Sequence, residues 1–585
     1  MLGISGPRVH RVALCALTIS LALLVARPLA AAQQYVTIST TSGAVRGQVS
    51  ADGAVEVFQG IPYAAPPVGP LRWVPPQPPT GWLGVRDALA PGSPCPQTGG
   101  LYASTNEDCL YLNVWAPYRV TKNKLPVMVF IHGGGQTSSA ANDYNASWLV
   151  TRGTPVIVVT FNYRLNIFAF FAHQALTAEN PQLGSGNYAT LDQQQALRWV
   201  RDNIVNFGGD PKNVTVFGES GGGQAVCILL ASPPARGLFQ RGISESAPCQ
   251  WQFYQSLTSQ EQKGVDIAAQ LGCLGSDPLP CLRALPTSVI LSRLAGYQPA
   301  WGGGAFPLPL REAFASGRFN QVPLMEGSNR DEALFQLAPR YDGAGSPVTA
   351  AQYPQILATQ YFGQSRVAAI QEQYPLSDYP SPTYALIAVL SDASMVTNNR
   401  IGLCALHLAN QLISPHVPVY AYEFADRTAP IPAPMFTEAT GGLVGAAHTT
   451  ELSYLFNQDP LTDTQRQLSD VMIGYWTNFA ARGDPNGKGL ANWPAYQPSD
   501  GTNYAALPPP NGEGLPNNSE ERQNADGKGL LNSENRQNVI VFDTNGAHSD
   551  TNFHTRHKCK FWAEQGYDDL FGPYPTPTAL GPVNQ

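Results

Sequence analysis

The segment Phe217-Gly218-Glu219-Ser220-Gly221-Gly222-Gly223 constrains this chain most, because a Gly-x-Ser-x-Gly pattern follows the β-branched run Val214-Thr215-Val216. A serine hydroxyl attacks a carbonyl only if it stands clear of its own backbone. A strained strand-to-helix turn achieves this where Gly218 and Gly222 leave room for close packing, which makes Ser220 the candidate nucleophile. The pattern is short and the chain holds 55 glycines, so it needs partners elsewhere in the sequence.

Those partners can be sought from the chemistry. An attacking serine needs a base, an acid to orient the base, and donors for the oxygen that becomes negative. His132-Gly133-Gly134-Gly135 follows the apolar run Val127-Met128-Val129-Phe130-Ile131 and offers bare backbone N–H groups; Gly221 offers another. Where the order along the chain is serine, acid, histidine, the base lies beyond the acid. Of the histidines after Ser220, His448 alone sits in a loop of small residues, Gly445-Ala446-Ala447-His448-Thr449-Thr450. The acid is Glu332, with its neighbour Asp331 as the competitor; position alone does not separate the two.

Strand-like runs such as Val127–Ile131 and Val156–Thr160 alternate with helical patterns such as Leu191–Asn203, which predicts an α/β protein with a largely parallel sheet. The strand runs are continuously apolar, as expected of strands covered on both faces. Trp199 and Ile204 read as core. With 43% hydrophobic and 13% charged residues and a formal net charge of −7, nothing recruits nucleic acid or an anionic membrane.

Arg8, His10 and Arg11 precede the apolar stretch Val12–Val25 and then Ala30-Ala31-Ala32, the layout of a secretory signal peptide over 1–32. An uncleaved anchor is the rival, but the stretch is short against the roughly 20 residues of a membrane span. The remainder, 33–585, reads as one large domain, secreted or periplasmic, with no membrane span. It carries a polar, turn-rich insertion at about 511–538, where Asn518–Asn524 recurs imperfectly as Asn532–Asn538. Asn145, Asn213 and Asn517 head glycosylation sequons. Cys15 leaves with the signal and eight cysteines remain; short spacing favours Cys95 with Cys109 and Cys273 with Cys281.

Together with Phe58-Gln59-Gly60-Ile61-Pro62-Tyr63-Ala64, Pro66-Pro67-Val68-Gly69, Glu107-Asp108-Cys109-Leu110-Tyr111-Leu112-Asn113-Val114 and Asp331-Glu332, these motifs make the chain resemble the type-B carboxylesterase/lipase family. The likeness runs from about Val36 to Phe561. It implies an α/β-hydrolase fold, a large mostly parallel sheet flanked by helices. It selects Glu332 over Asp331, supports His448 as base, and assigns Gly134, Gly135 and Gly221 to the oxyanion. It implies a third disulfide, Cys404–Cys559, which leaves Cys227 and Cys249; Cys227 is expected to be a buried thiol. Arg72–Glu107 and Arg164–Asp192 resemble the family's buried ion pairs. Three departures stand out: Gly221 where alanine is usual, Gln136 where an aromatic is usual, and Ser244-Glu245-Ser246-Ala247-Pro248, which is expected to remove a serine behind the triad.

The expected activity is ester hydrolysis through an acyl-enzyme, on a small-molecule ester, without metal or cofactor. Only thirteen residues separate Cys95 from Cys109, too few for a lipase flap, and Pro96–Asp108 lacks the tryptophan with which cholinesterases hold a quaternary ammonium. Trp251, Phe253 and Tyr254 are candidates for an acyl pocket, with core packing as the equal alternative. Lipase-like or cholinesterase-like specificity and a non-catalytic adhesion protein of the same fold are the alternative readings. Oligomeric state is not legible.

Overall fold

The computed structural model describes residue 3 and residues 33–565, apart from 99–101, 119–123, 250–253, 276, 294–296, 395–401, 432–439 and 498–537. The expected signal peptide, Trp251, Phe253, the Asn517 sequon and all but the end of the polar insertion lie outside the described residues.

Thirteen described strands form one mixed sheet. They are β1 (Tyr35–Thr40), β2 (Gly43–Val49), β3 (Val55–Pro62), β4 (Val85–Asp87), β5 (Tyr111–Pro117), β6 (Leu125–Ile131), β7 (Ile157–Phe161), β8 (Gly209–Glu219), β9 (Arg241–Glu245), β10 (Leu324–Asn329), β11 (Val419–Phe424), β12 (Val539–Asp543) and β13 (Gly546–Asp550). Their order is β1-β2-β3-β5-β7-β6-β8-β9-β10-β11-β12-β13, with β4 on β2. Every pairing from β7 through β12 is parallel, while the β1-β2-β3-β5 edge and the closing β12–β13 hairpin are antiparallel.

The continuously apolar strands feed two cores by simple alternation, since successive side chains point to opposite faces. In β6, Val127, Val129 and Ile131 enter one cluster and Met128 and Phe130 the other. Phe217 of β8 likewise departs from Val214 and Val216. The first face is covered in part by the helices Tyr188–Asn203 and Gly221–Ala231, and Trp199 and Ile204 are buried there as expected. The second is covered by Asp463–Arg482, whose Met472, Ile473, Trp476 and Phe479 pack into it. That helix starts in a Thr462/Gln465 capping box and stops at Gly483, whose φ of 78° suits a residue without Cβ.

Disulfides join Cys95 to Cys109, Cys273 to Cys281 and Cys404 to Cys559. The expectation of a buried thiol at Cys227 is corrected: Cys227 is bonded to Cys249. Helix and strand between them return the chain so that residues 22 apart in sequence meet with a Cα separation of 5.2 Å. Arg72 and Glu107 form a buried two-point pair at 2.8 and 2.5 Å, and Arg164 and Asp192 another at 2.8 and 2.7 Å. Asn213 is engaged by its side chain, donating to the Ala481 carbonyl and accepting from Arg241. Among the described residues, no helix is long and apolar enough to cross a membrane.

Candidate active site

The neighbouring strands β8, β9, β10 and β11 run parallel, so the loops after them gather at one edge of the sheet, where ligands of such sheets bind. Ser220 follows β8, Glu332 lies three residues beyond β10, and His448 sits in the connection after β11.

Ser220 is held at φ 56° and ψ −121°, a backbone conformation that costs a side-chain-bearing residue about 1–3 kcal/mol. The neighbours enforce it. A Cβ at Gly222 would stand 1.9 Å from the Ile131 carbonyl oxygen, and one at Gly218 would stand 2.6 Å from the Ile131 oxygen and the Gly222 carbonyl carbon. The Ser220 N–H donates to the Glu245 carbonyl at 2.9 Å, which ties the turn to the end of β9. Four further non-glycine residues with positive φ, Gln136, Asn166, Ser246 and Thr449, lie on the segments bordering this turn and His448. Strain of this kind concentrates where a fold holds functional groups.

His448 Nδ1 and Glu332 Oε2 are 2.6 Å apart, both side chains buried. The other Glu332 oxygen accepts from Ser328 Oγ and the Asn329 N–H, both at 2.7 Å, so the carboxylate is fixed at both ends. Burial alone would raise the Glu332 pKa, but the charge and hydrogen bond of His448, with the Asn329 N–H, outweigh it and hold it below the usual carboxylate value. Burial alone would lower His448; the Glu332 charge and hydrogen bond reverse the direction. Asp331 is turned elsewhere: its carboxylate takes two hydrogen bonds from Arg427 at 2.9 and 2.7 Å and one from the Ala446 N–H at 3.1 Å. Thus Glu332, not Asp331, touches His448.

His448 Nε2 comes within 3.2 Å of Glu219 Oε1, the residue that precedes Ser220, which sets the imidazole over the elbow. Both Glu219 oxygens lack a hydrogen-bond partner among the described residues, so this proximity is a poorly aligned contact rather than a bond. Burial first, then Glu332 and Glu245, push Glu219 well above the carboxylate range. Phe335 meets the His448 ring edge to face at 5.6 Å.

The glycine loop passes over the same turn. A Cβ at Gly133 would lie 3.2 Å from Ser220 Cβ, while Gly134 and Gly135 have φ of 84° and 60°. Gln136 and Gly221, two of the departures, turn out to be one feature. Gln136 Nε2 donates to the Gly221 carbonyl at 3.0 Å, and a Cβ at Gly221 would come 2.7 Å from the Gln136 backbone nitrogen and 3.1 Å from that of Gly135. His132 is buried against Tyr163 at 4.4 Å, and burial takes its pKa down to about 4, so it stays neutral.

The third departure corrects an expectation. No serine is lost behind the triad: Ser246, with φ 51°, is fully buried beside Glu332 and helps keep that carboxylate's pKa low, although its hydroxyl falls short of hydrogen-bond geometry. Tyr254 packs edge to face on Phe306 at 5.7 Å within the core, which favours the packing alternative for it.

A set of buried glutamates was not legible as such in the sequence. Glu219, Glu245, Glu326 and Glu451 are all fully buried and, among the described residues, have no basic partner in salt-bridge geometry apart from the His448 contact of Glu219. Burial carries Glu245 to about 7 and Glu326 to about 8, partly offset by the Trp476 N–H and the Cys249 N–H respectively, and drives Glu451 well upward. Only Glu219 had a usable signal, as the residue adjoining the serine of the motif.

Comparisons with known proteins identify the family and the fold. A profile of the Carboxylesterase family matches residues 32–523. The chain is 35% identical over 483 residues to fumonisin B1 esterase of Sphingopyxis macrogoltabida, covering 78% of this chain and 84% of that protein. It is 35% identical over 492 residues to para-nitrobenzyl esterase of Bacillus subtilis (strain 168), covering 78% and 92%. A solved PNB esterase superposes with a TM-score of 0.67 and 30% identity over 90% of this chain and 100% of its own. The chain has the α/β-hydrolase fold and belongs to the carboxylesterase family of carboxylic ester hydrolases.

Proposed function

We propose that the chain is a secreted serine carboxylesterase that works through a Ser220–His448–Glu332 triad and an acyl-enzyme. The observation that carries the reading is the 2.6 Å contact between His448 Nδ1 and Glu332, made while the opposite nitrogen faces the elbow that strains Ser220 outward.

In the forward step Ser220 Oγ bonds to the ester carbonyl carbon as His448 Nε2 takes its proton. Glu332 fixes the tautomer and stabilises the imidazolium. The negative oxygen is met by the N–H groups of Gly134, Gly135 and Gly221, an arrangement in which one donor is typically worth about 2.7–4 kcal/mol. His448 then protonates the leaving alcohol, and water repeats the sequence to release the acid.

Four disulfides support an oxidising destination. The Cys95–Cys109 loop is short and stapled to the glycine loop, with Gln97 accepting from the Ser139 N–H at 2.8 Å and donating to its carbonyl at 3.0 Å. That supports soluble esters of modest size over emulsified lipid. Relatives named for a fumonisin, a para-nitrobenzyl ester and an acylcarnitine are compatible with such breadth.

The test is Ser220→Ala with p-nitrophenyl butyrate and an organophosphonate label. Loss of both turnover and labelling is expected; retained turnover overturns the mechanism. A jump in rate at an oil–water interface would overturn the substrate class.

A further inference from the structure

The elements that carry the triad are tied together a second time, deeper in the fold. Cys227 lies seven residues beyond Ser220, about 10 Å along its helix. Its disulfide reaches Cys249 on the chain leaving β9, and Glu326 of β10 accepts the Cys249 N–H at 2.6 Å. The two sulfurs and a Glu326 carboxyl oxygen all lie within 4.8 Å of one another, and all three residues are buried. With the sulfurs bonded to each other, this is not a metal ligand set. The second Glu326 oxygen has no hydrogen-bond partner among the described residues, an expensive arrangement for a core position.

Between the two ties runs the turn 244–249. Ser244 Oγ donates to the Ala247 carbonyl at 2.7 Å and lies 3.3 Å from that of Gly223, on the nucleophile's helix. The Ser246 N–H donates to the Gly327 carbonyl at 2.8 Å, and Ser246 takes a positive φ beside Glu332. The Cys249 amide falls beyond the last β9–β10 register pair, Gly327 with Glu245, so the strand ladder offers it no acceptor. Glu326 supplies one, and the disulfide closes the same residue onto the helix.

We infer that Glu326 and the Cys227–Cys249 disulfide form one positioning clamp, which fixes the turn 246–249 and through it the placement of Ser220 and Glu332 around His448. The inference rests on the proposed triad. An error of about 1 Å in such a placement can cost up to about 100-fold in rate with binding little affected, so the clamp acts on kcat.

The experiment compares Glu326→Leu, which removes the acceptor, Glu326→Gln, which keeps one without the acid, and the Cys227→Ala/Cys249→Ala pair, all on p-nitrophenyl butyrate beside Ser220→Ala. Glu326→Leu and the cysteine pair are each expected to lower kcat about tenfold with KM within about twofold, and Glu326→Gln to recover most of the loss. Because the parts act as one unit, combining Glu326→Leu with the cysteine pair should cost little more than either alone. Wild-type kcat in both disrupted forms, a multiplying loss in the combination, or a lowered Tm with kcat intact would overturn the clamp. Should Glu326→Leu fail to fold, the cysteine pair and Glu326→Gln decide by the same criteria. A dead Ser220→Ala with unaffected clamp variants removes the clamp alone; an active Ser220→Ala removes the triad reading.

Discussion

Two groups of buried acids in this protein obey different rules. Asp192 and Glu107 are buried with arginine forks in two-point contact, whereas Glu219, Glu245, Glu326 and Glu451 are as deeply buried with no such partner among the described residues. Two-point hydrogen bonding to the arginines makes the first group struts. The second group is displaced toward the neutral form by burial, which leaves Glu332 as the charged acid opposite His448. One anion among neutral acids gives the imidazolium a defined counter-charge without surrounding it with competing negative groups.

The sharpest way to break this contrast is to remove the one charge. Glu332→Gln keeps shape and loses the anion, and kcat is expected to fall about 10⁴-fold, as in other triads whose acid is made neutral. The raised His448 pKa also places the acid limb of kcat/KM above the ordinary 6.5, since His448 must be neutral to accept the Ser220 proton. A pH–rate profile with its acid limb well below 6.5 would contradict the pairing.

The struts should respond in stability instead. Arg164→Met strands buried Asp192 without its partner, which costs about 3–5 kcal/mol in a urea titration, and replacing both partners by apolar residues should restore part of that loss. Unchanged stability in Arg164→Met would dissolve the distinction between the groups.

The neutral acids make the opposite prediction with pH. Glu326 and Glu245 hold their protons more tightly folded than unfolded, so folding is favoured below the unfolded value near 4.5. That advantage is lost as pH rises through about 7 for Glu245 and about 8 for Glu326. Glu326→Gln cannot lose a proton, so at pH 8 it is expected to exceed the wild type in stability by an amount on the order of 4 kcal/mol, a gap that closes toward pH 4.5. Thermal melts across this range check it; a gap that widens toward acid has the wrong sign.

The two groups also differ in how far the sequence exposes them. The elbow, the glycine loop and the buried strands are legible because each is a local backbone demand written in adjacent residues, as Gly218, Gly222 and the run Val127–Ile131 show. His448 is legible by its small-residue loop, and Glu332 needed the family likeness to part it from Asp331. Glu245 and Glu326 are not legible, because a glutamate inside a strand reads as a polar interruption until distant chain covers it. Cys227 and Cys249 are the instructive miss: helix and strand had to be folded before the two could be seen to meet. With three of the four possible pairs assigned, the even count of eight cysteines is a signal for their bond, though the expectation is a buried thiol at Cys227.

The smallest effect concerns the coupled departures at the oxyanion loop. In Gly221→Ala the new Cβ meets the backbone nitrogens of Gln136 and Gly135 at 2.7 and 3.1 Å, and backbone atoms, unlike a side-chain tip, yield only by moving the loop. That loop carries the proposed donors, so kcat should fall by about 3- to 10-fold, a fraction of the roughly 100-fold or more that follows outright loss of a donor. Gln136→Ala relieves only the side-chain tie to the Gly221 carbonyl, not the backbone crowding, and should therefore not rescue Gly221→Ala. Full activity in Gly221→Ala would mean that the loop shifts freely under Ser220, and that glycine at 221 is tolerated here rather than required.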